Sequence, residues 1–531
     1  MWTMQSRHKL TPIRFIQHGF RRWLLFSLVL GSIFLSGCAT NPVTGKSELS
    51  FISKAQEVSI GQEQYLPTQQ SEGGLYSVNK ELTRYVDTVG QRIASVSDRQ
   101  LPYEFVVLNN SVPNAWALPG GKIAVNRGLL LKLNSEAELA AVLSHEVIHA
   151  AARHGAKSMQ TSMLLQGAIM ATAIGVSDSE YENYIVGSAQ LGAQLLTHRY
   201  GRTAELEADY YGIQYMVKAG YDPAAAISLQ ETFVQLSAND ENSWVKGLFA
   251  SHPPSQERVD KNRETVASLT GLHQDLEIGD LRYKEKIAYL VSKQSAYNAF
   301  DQASVLASSN ELDSALSTID RAIGTEPIEP RFYGLKADIF LKKRQYSRAN
   351  QFYDKALHLD SEYYEYYLGR GLSMAGLGKQ EAAKRDLERS NELLPTAVAM
   401  NQLGQLSLQR DDQRSAKEYF QRAMSAGGDT GQQAAAAFTE LDLPENPHRY
   451  IESEVFLDKG RLLARVVNLT NLNISHYEVT FYVTVNNQRV SRSISLGTLG
   501  AHQRDQADSG LQFKNTDRLE DMGSRVTVAS L

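Results

Sequence analysis

With a single cysteine in 531 residues, the chain has no internal partner for a disulfide. Neither sign of charge dominates. Lys and Arg number 54 against 59 Asp and Glu, a formal charge of −5, so no basic surface for a phosphate backbone is expected. No Walker loop and no dinucleotide-type glycine pattern occurs, and nucleic acid is not an expected partner. Long apolar runs are scarce near the start as well. Trp23 to Leu35 gives thirteen residues, where a permanent membrane helix needs roughly 20. What remains is 42% hydrophobic and 21% charged, over a length too great for one core, which predicts three or four globular domains.

Arg7, Lys9, Arg14, Arg21 and Arg22 precede the short apolar run, and Leu35-Ser36-Gly37-Cys38 closes it. A basic flank, a short apolar core and small residues before a cut describe an export signal. Its ending resembles a bacterial lipobox, in which Cys38 becomes the lipidated first residue and the lone thiol is consumed. Ala39 follows in place of an aspartate, the pattern that favours the outer membrane. The expectation is a leader over 1–37 and a periplasmic protein held to the outer membrane by lipid. Losing five positive charges with that leader takes the formal charge from −5 to −10.

Beyond a polar tether over 38–50, residues 51–265 alternate helical patterns with a strand-like piece, and 266–295 reads as a connecting helix or linker. A repeat fills 296–440. Ala315, Ala349, Ala383 and Ala416 recur at 34, 34 and 33 residues, with Ala322, Ala356, Ser390 and Ala423 seven further on. Ile319, Tyr353, Leu387 and Phe420 lie four after each first alanine, and Ala303, Ala337, Gly371 and Gly404 lie twelve before. Small residues at fixed places let two helices approach, and bulky ones fill the gap between hairpins. The pattern resembles the tetratricopeptide repeat, an α-solenoid whose curved surface binds extended protein segments. From 447 to 531, apolar and polar residues alternate around Asn486-Asn487, predicting an antiparallel β-domain, a small sandwich.

The chemistry is concentrated in "LSHEVIHAAARHG". Ser135 and Glu138 fit a capping box, and the helix they open runs without proline to Gly155. His145 and His149, four apart on it, project from one face and can bite one zinc, with Glu146 placed to take a proton from water. A third ligand is needed. "RTAELEADYYG", read as a helix over 203–218, offers Glu205, with Asp209 one turn on to accept the outer N–H of a ligating histidine. His154 sits on the wrong turn to join the pair and is read as structural. Residues 159–196 read as an apolar helical pair, a lid or membrane-facing hairpin.

"HEVIHAAARH", "ELEAD", "NAWALPGGKIAVNRGLL" and "SHPPSQER", in that combination, resemble the HtpX- and BepA-like zinc metallopeptidases, relatives of the prenyl-protein CAAX proteases, over roughly residues 41–265. With the lipobox and repeats, the layout is most similar to the periplasmic BepA-like group. The resemblance implies a mainly helical gluzincin fold with one Zn2+ per chain and Glu205 as third ligand. It implies an edge strand near the zinc, here Lys122 to Val125, that holds a substrate peptide by strand addition. It also implies that His252 either occupies the fourth zinc position or donates to the oxyanion. Arg258 matches the family's arginine without a derivable role. The expected function is a zinc endopeptidase for misfolded or stalled envelope proteins. The repeats bind substrates or the outer-membrane assembly machinery; a repressed protease serving as chaperone or scaffold is the alternative.

Overall fold

The computed structural model describes residues 38–161, 200–239, 252–269, 275–426 and 428–531. The leader expected over 1–37, and the helical pair expected over 159–196 from residue 162 on, lie outside the described residues. The chain divides into two compact units, one running to Tyr297 and one holding Asn298–Leu531. Among the described residues no helix is long and apolar enough to cross a membrane.

In the first unit, a short hairpin of β1 (Cys38–Thr40) and β2 (Ser47–Leu49) precedes helices α1 (Lys54–Ser71) and α2 (Lys80–Ala94). Each helix starts where a side chain takes up an orphan backbone N–H. Ser53 and Gln56 form a reciprocal capping box, and Asn79 accepts from Leu82 N. α2 buries Leu82, Val86, Val89 and Ile93 at helical spacing, facing strand β3 (Glu104–Leu108).

β3 pairs in parallel with β5 (Lys122–Asn126), whose other side pairs antiparallel with β4 (Ala115–Leu118). The strand expected at the edge is therefore the middle one, and among the described residues β4 is an edge strand. Lys-Ile-Ala-Val-Asn looks like a half-exposed strand, yet all five positions are buried, with Glu104 paired to the Lys122 ammonium. A strand covered on both faces and both edges has no polar face to advertise.

α3 (Arg127–Leu130) leads into α4 (Glu136–Ala151), the central helix of this unit, in which every residue except His145 is buried. Its first turn carries Glu136 and Glu138, which complement the positive end of the helix dipole. Ser135 caps it through Glu138 N, but the Glu138 carboxylate accepts from Asn134 N at 2.7 Å rather than closing the expected box. The helix also ends earlier than expected, at Ala151, because Arg153 takes a left-handed φ of +64°. Around α4 stand α5 (Arg202–Lys218), α6 (Ala224–Asn239) and α7 (Gln256–Ser268). α8 (Asp280–Ser292) closes the start of α4. Arg282 and Tyr85 bind Glu136, and Tyr283 OH donates to Leu130 O at 2.6 Å.

The second unit is mostly helical. Four hairpins pair α9 (Gln294–Ser308) with α10 (Leu312–Thr325), α11 (Pro330–Lys342) with α12 (Tyr346–Leu359), α13 (Tyr364–Gly376) with α14 (Gln380–Leu393), and α15 (Ala397–Leu408) with α16 (Gln413–Met424); α17 (Gly428–Asp442) follows. The alanines of the repeat are fully buried. Where glycine replaces one, a Cβ would lie 2.5 Å from the Phe420 ring at Gly404 and 2.8 Å from Leu387 at Gly371. A second period accompanies the first: Asn310, Arg344, Gly378 and Asp411 all take positive φ at the turn inside each hairpin.

After the helices come β6 (Ile451–Asp458), β7 (Arg461–Asn468) and β10 (Arg504–Gln512) in one sheet, and β8 (His476–Val485), β9 (Gln488–Leu496) and β11 (Leu519–Ser530) in another. Leu462, Ala464 and Val466 from the first share a core with Tyr477, Val479 and Phe481 from the second. The β8–β9 turn has φ of +49° at Asn486 and +67° at Asn487, the conformation asparagine tolerates in a type I′ turn.

Candidate metal centre

α4 carries His145 and His149 one turn apart on one face, with their Nε2 atoms 3.0 Å from each other. α5 lies against that helix because Gly212 leaves room: a Cβ there would stand 3.3 Å from Ser144 Oγ. This contact brings Glu205 to both imidazoles, at 3.5 Å from His145 Nε2 and 3.4 Å from His149 Nε2. His252, just before α7, completes the group. Its Nδ1 is 3.0 Å from Glu205 Oε1 and 3.3 Å from His145 Nε2, while its Nε2 is 3.6 Å from Glu146 Oε1. One ligand atom from each of His145, His149, Glu205 and His252 lies within 4.8 Å of the others, an N₃O donor set that could hold a metal ion.

Asp209 Oδ1 is 2.9 Å from His145 Nδ1, so that nitrogen carries a proton and Nε2 faces the cluster. Arg258, whose role the sequence left open, has one here. Its guanidinium donates to both Asp209 oxygens at 2.7 Å and stands 2.9 Å from Glu205 Oε2. Burial works against charge on Asp209, but Arg258 and His145 outweigh it and hold the carboxyl below its ordinary value. Burial likewise opposes charge on His145, and Glu205 and Asp209 overcome it, raising the imidazole to about 10. Glu146 is 2% exposed, its Oε2 has no hydrogen-bond partner among the described residues, and burial pushes its pKa up against the pull of His252 and His145. A buried carboxylate with a free oxygen beside such a cluster can accept a proton.

His149 is held differently from His145. His154, set aside as structural, places Nδ1 2.9 Å from His149 Nδ1, and its Nε2 is 3.5 Å from Glu207. Tyr200 stacks on His149, with ring centroids 3.9 Å apart. No spacing in the sequence pointed to Tyr200 or Glu207, although Glu207 is the middle residue of "ELEAD" and Tyr200 lies five positions before that motif. Next to His145 and Glu146, an apolar cavity is walled by Ala141, Val142, Ile213, Met216, Leu229 and Phe233. Cys38 lies in β1, more than a hundred positions along the chain from these residues.

Residues 80–266 match the model of peptidase family M48, and residues 330–363 match a tetratricopeptide repeat. Three relatives are informative. The putative beta-barrel assembly-enhancing protease of Vibrio cholerae is 31% identical over 34% of this chain and 39% of its own. The beta-barrel assembly-enhancing protease of Escherichia coli (strain K12) is 27% identical over 44% and 50%. The mitochondrial metalloendopeptidase OMA1 of Schizosaccharomyces pombe is 30% identical over 46% of this chain and 71% of its own. The chain thus spans half or less of the two bacterial relatives. Matched by the family model over the residues that build the cluster, and by a relative of 30% identity over 71% of its length, the chain belongs to peptidase family M48.

Proposed function

We propose that the chain is a zinc endopeptidase acting on misfolded or stalled envelope proteins, tethered in the periplasm through Cys38, with its repeats holding substrates or an assembly partner. One observation carries the reading: two imidazoles and a carboxylate converge beside a buried carboxylate that has an open oxygen. His145, His149 and Glu205 would hold the ion. Bound there, zinc supplies Lewis acidity and brings the pKa of water toward about 7. Glu146 accepts the proton of the attacking water and returns it to the leaving amine. Asp209 and Arg258 fix His145 and Glu205 in the orientation this needs. The outer edge of β4 offers backbone groups to an extended substrate, and the apolar cavity beside Glu146 suits an apolar side chain next to the scissile bond.

A second reading, a repressed protease working as a chaperone, is favoured by His252. Its Nδ1 reaches Glu205 and its Nε2 approaches Glu146, so it fills the space a substrate carbonyl would need. The two readings share one experiment. The chain from Cys38 onward and its Glu146→Gln variant are given an unfolded protein, and bound zinc is measured in both. Cleavage by the parent alone, with zinc near one per chain in each, supports the peptidase. Zinc without cleavage in either supports the closed form, and absence of zinc in both refutes the metal site.

A further inference from the structure

Between α9, α11 and α13 the repeats enclose a cavity of about 110 Å³, lined by Phe300, Ser304, Arg331, Asp338, Glu365 and Tyr366 among others. A single water needs only about 10–15 Å³ of such space, so the cavity has room for a side chain. Its polar groups are unevenly matched. Arg331 pairs with Glu365 at 3.9 Å and lies over the Phe300 and Tyr363 rings. Asp338, by contrast, accepts a hydrogen bond from the Tyr353 hydroxyl and has no cation in ion-pair contact among the described residues. Burial, reinforced by Glu365 and only partly offset by Tyr353, Arg331 and Lys342, raises its pKa to about 7. Tyr366, 2% exposed, packs in the wall of the cavity.

These groups specify a ligand. Asp338 has a second carboxylate oxygen, and Ser304 Oγ keeps lone pairs after donating to Phe300 O at 3.0 Å. These acceptors suit an ammonium, whereas a guanidinium, with five donors in a plane, would leave donors unmet. The Phe300 ring supplies an apolar wall for a methylene stem. We propose that this cavity takes the lysine side chain of an extended protein segment lying along the repeats. The proposal rests on the reading that the repeats hold protein segments and is independent of the peptidase chemistry.

The test uses the full chain carrying Glu146→Gln, so that probes are not cut, and fluorescence anisotropy with short labelled Ser/Ala/Gly peptides. Each peptide has lysine, norleucine or glutamate at its centre. At pH above about 8, where Asp338 is ionised, the lysine peptide is expected to bind about ten-fold tighter than the other two, the gain of one partly buried ion pair. Asp338→Asn keeps an acceptor for Tyr353 and should bring the lysine peptide to the norleucine level while circular dichroism shows unchanged helix content. Ser304→Ala should weaken it by about three-fold, the loss of one hydrogen bond. Equal binding of all three peptides, or a lysine preference that survives Asp338→Asn, overturns the cavity's role while leaving the repeats as a segment-binding surface. Failure of every peptide to bind overturns both. Displacement of the lysine peptide by putrescine at lower concentration than by unlabelled peptide overturns the assignment to a protein segment.

Discussion

Asp209→Asn probes how the metal centre is held without touching a group that meets substrate. The carboxylate is buried, receives two charge-assisted hydrogen bonds from Arg258 at 2.7 Å, and faces His145 Nδ1 at 2.9 Å. An amide has the same shape but only one acceptor atom, so one of its donor partners meets an N–H instead. Breaking a buried ion pair costs about 3–5 kcal/mol, chiefly because one charge is left bare. Arg258 keeps Glu205 at 2.9 Å, which places the expected loss at the lower end, about 3 kcal/mol. Adding Arg258→Met removes the stranded charge and should restore part of that loss. Zinc affinity should not recover with it, since His145 has lost its orienting carboxylate; a drop of about 10–100-fold is expected in the single and the double variant alike. The assay is favourable because buried Trp116 in β4 reports on the first unit, while residues 298–531 contain no tryptophan. Urea melts in chelator give stability, and competition with a chromophoric chelator gives affinity. A single variant as stable as the parent would refute the ion pair. A double variant regaining affinity together with stability would refute the role assigned to Asp209.

Three other outcomes are expected. His252→Ala, which removes the ring lying between Glu205 and Glu146, should raise cleavage of an unfolded protein by about ten-fold or more if that ring excludes substrate; a rate at or below that of the parent argues for the oxyanion role. Arg344 holds a φ of +56° where the next repeat has Gly378, so Arg344→Gly should stabilise the second unit by about 0.5–1 kcal/mol in thermal melts. Asp338 is protonated to about pH 7 in the folded chain but only to about pH 4 unfolded, so the folded state holds the extra proton and stability falls as pH rises between those values. The slope is at most about 1.4 kcal/mol per pH unit, set against Glu365, Arg331, Lys342 and Tyr353 around it. Asp338→Asn should flatten that part of the profile, read from helix content, and an unchanged profile would place the carboxyl in water.

The paired histidines of the cluster were legible because their geometry is local. Two residues four apart on a helix share a face whatever the helix packs against, and the same holds for Glu205 and Asp209. The repeats were legible for a related reason: a period of 34 residues encodes contacts between neighbours in sequence, and the small residues recur where helices touch. What stayed hidden depends on contacts set by tertiary packing. Arg258 gains its function from two carboxylates on another helix, about fifty residues earlier, and its own surroundings in "SHPPSQER" carry no trace of them. Tyr200 matters because its ring lands on His149.

β5 shows where a resemblance misled. Alternation indicates a strand, which is present, but does not say which neighbours it has, and pairing on both sides turned the edge that the resemblance implied into the centre of a sheet. The early end of α4 has the same origin. Nothing in "AAARHG" requires a stop, yet Arg153 leaves the helix with a positive φ and binds Glu57 through Nε at 2.6 Å. A backbone conformation costing roughly 1 kcal/mol is thus held by a buried ion pair with a residue almost a hundred positions away. It is also this break that lets His154 swing back to the outer nitrogen of His149, a contact a continuous helix would forbid, since residues five apart on a helix do not share a face. The departure from helix periodicity therefore helps to orient the second histidine of the cluster.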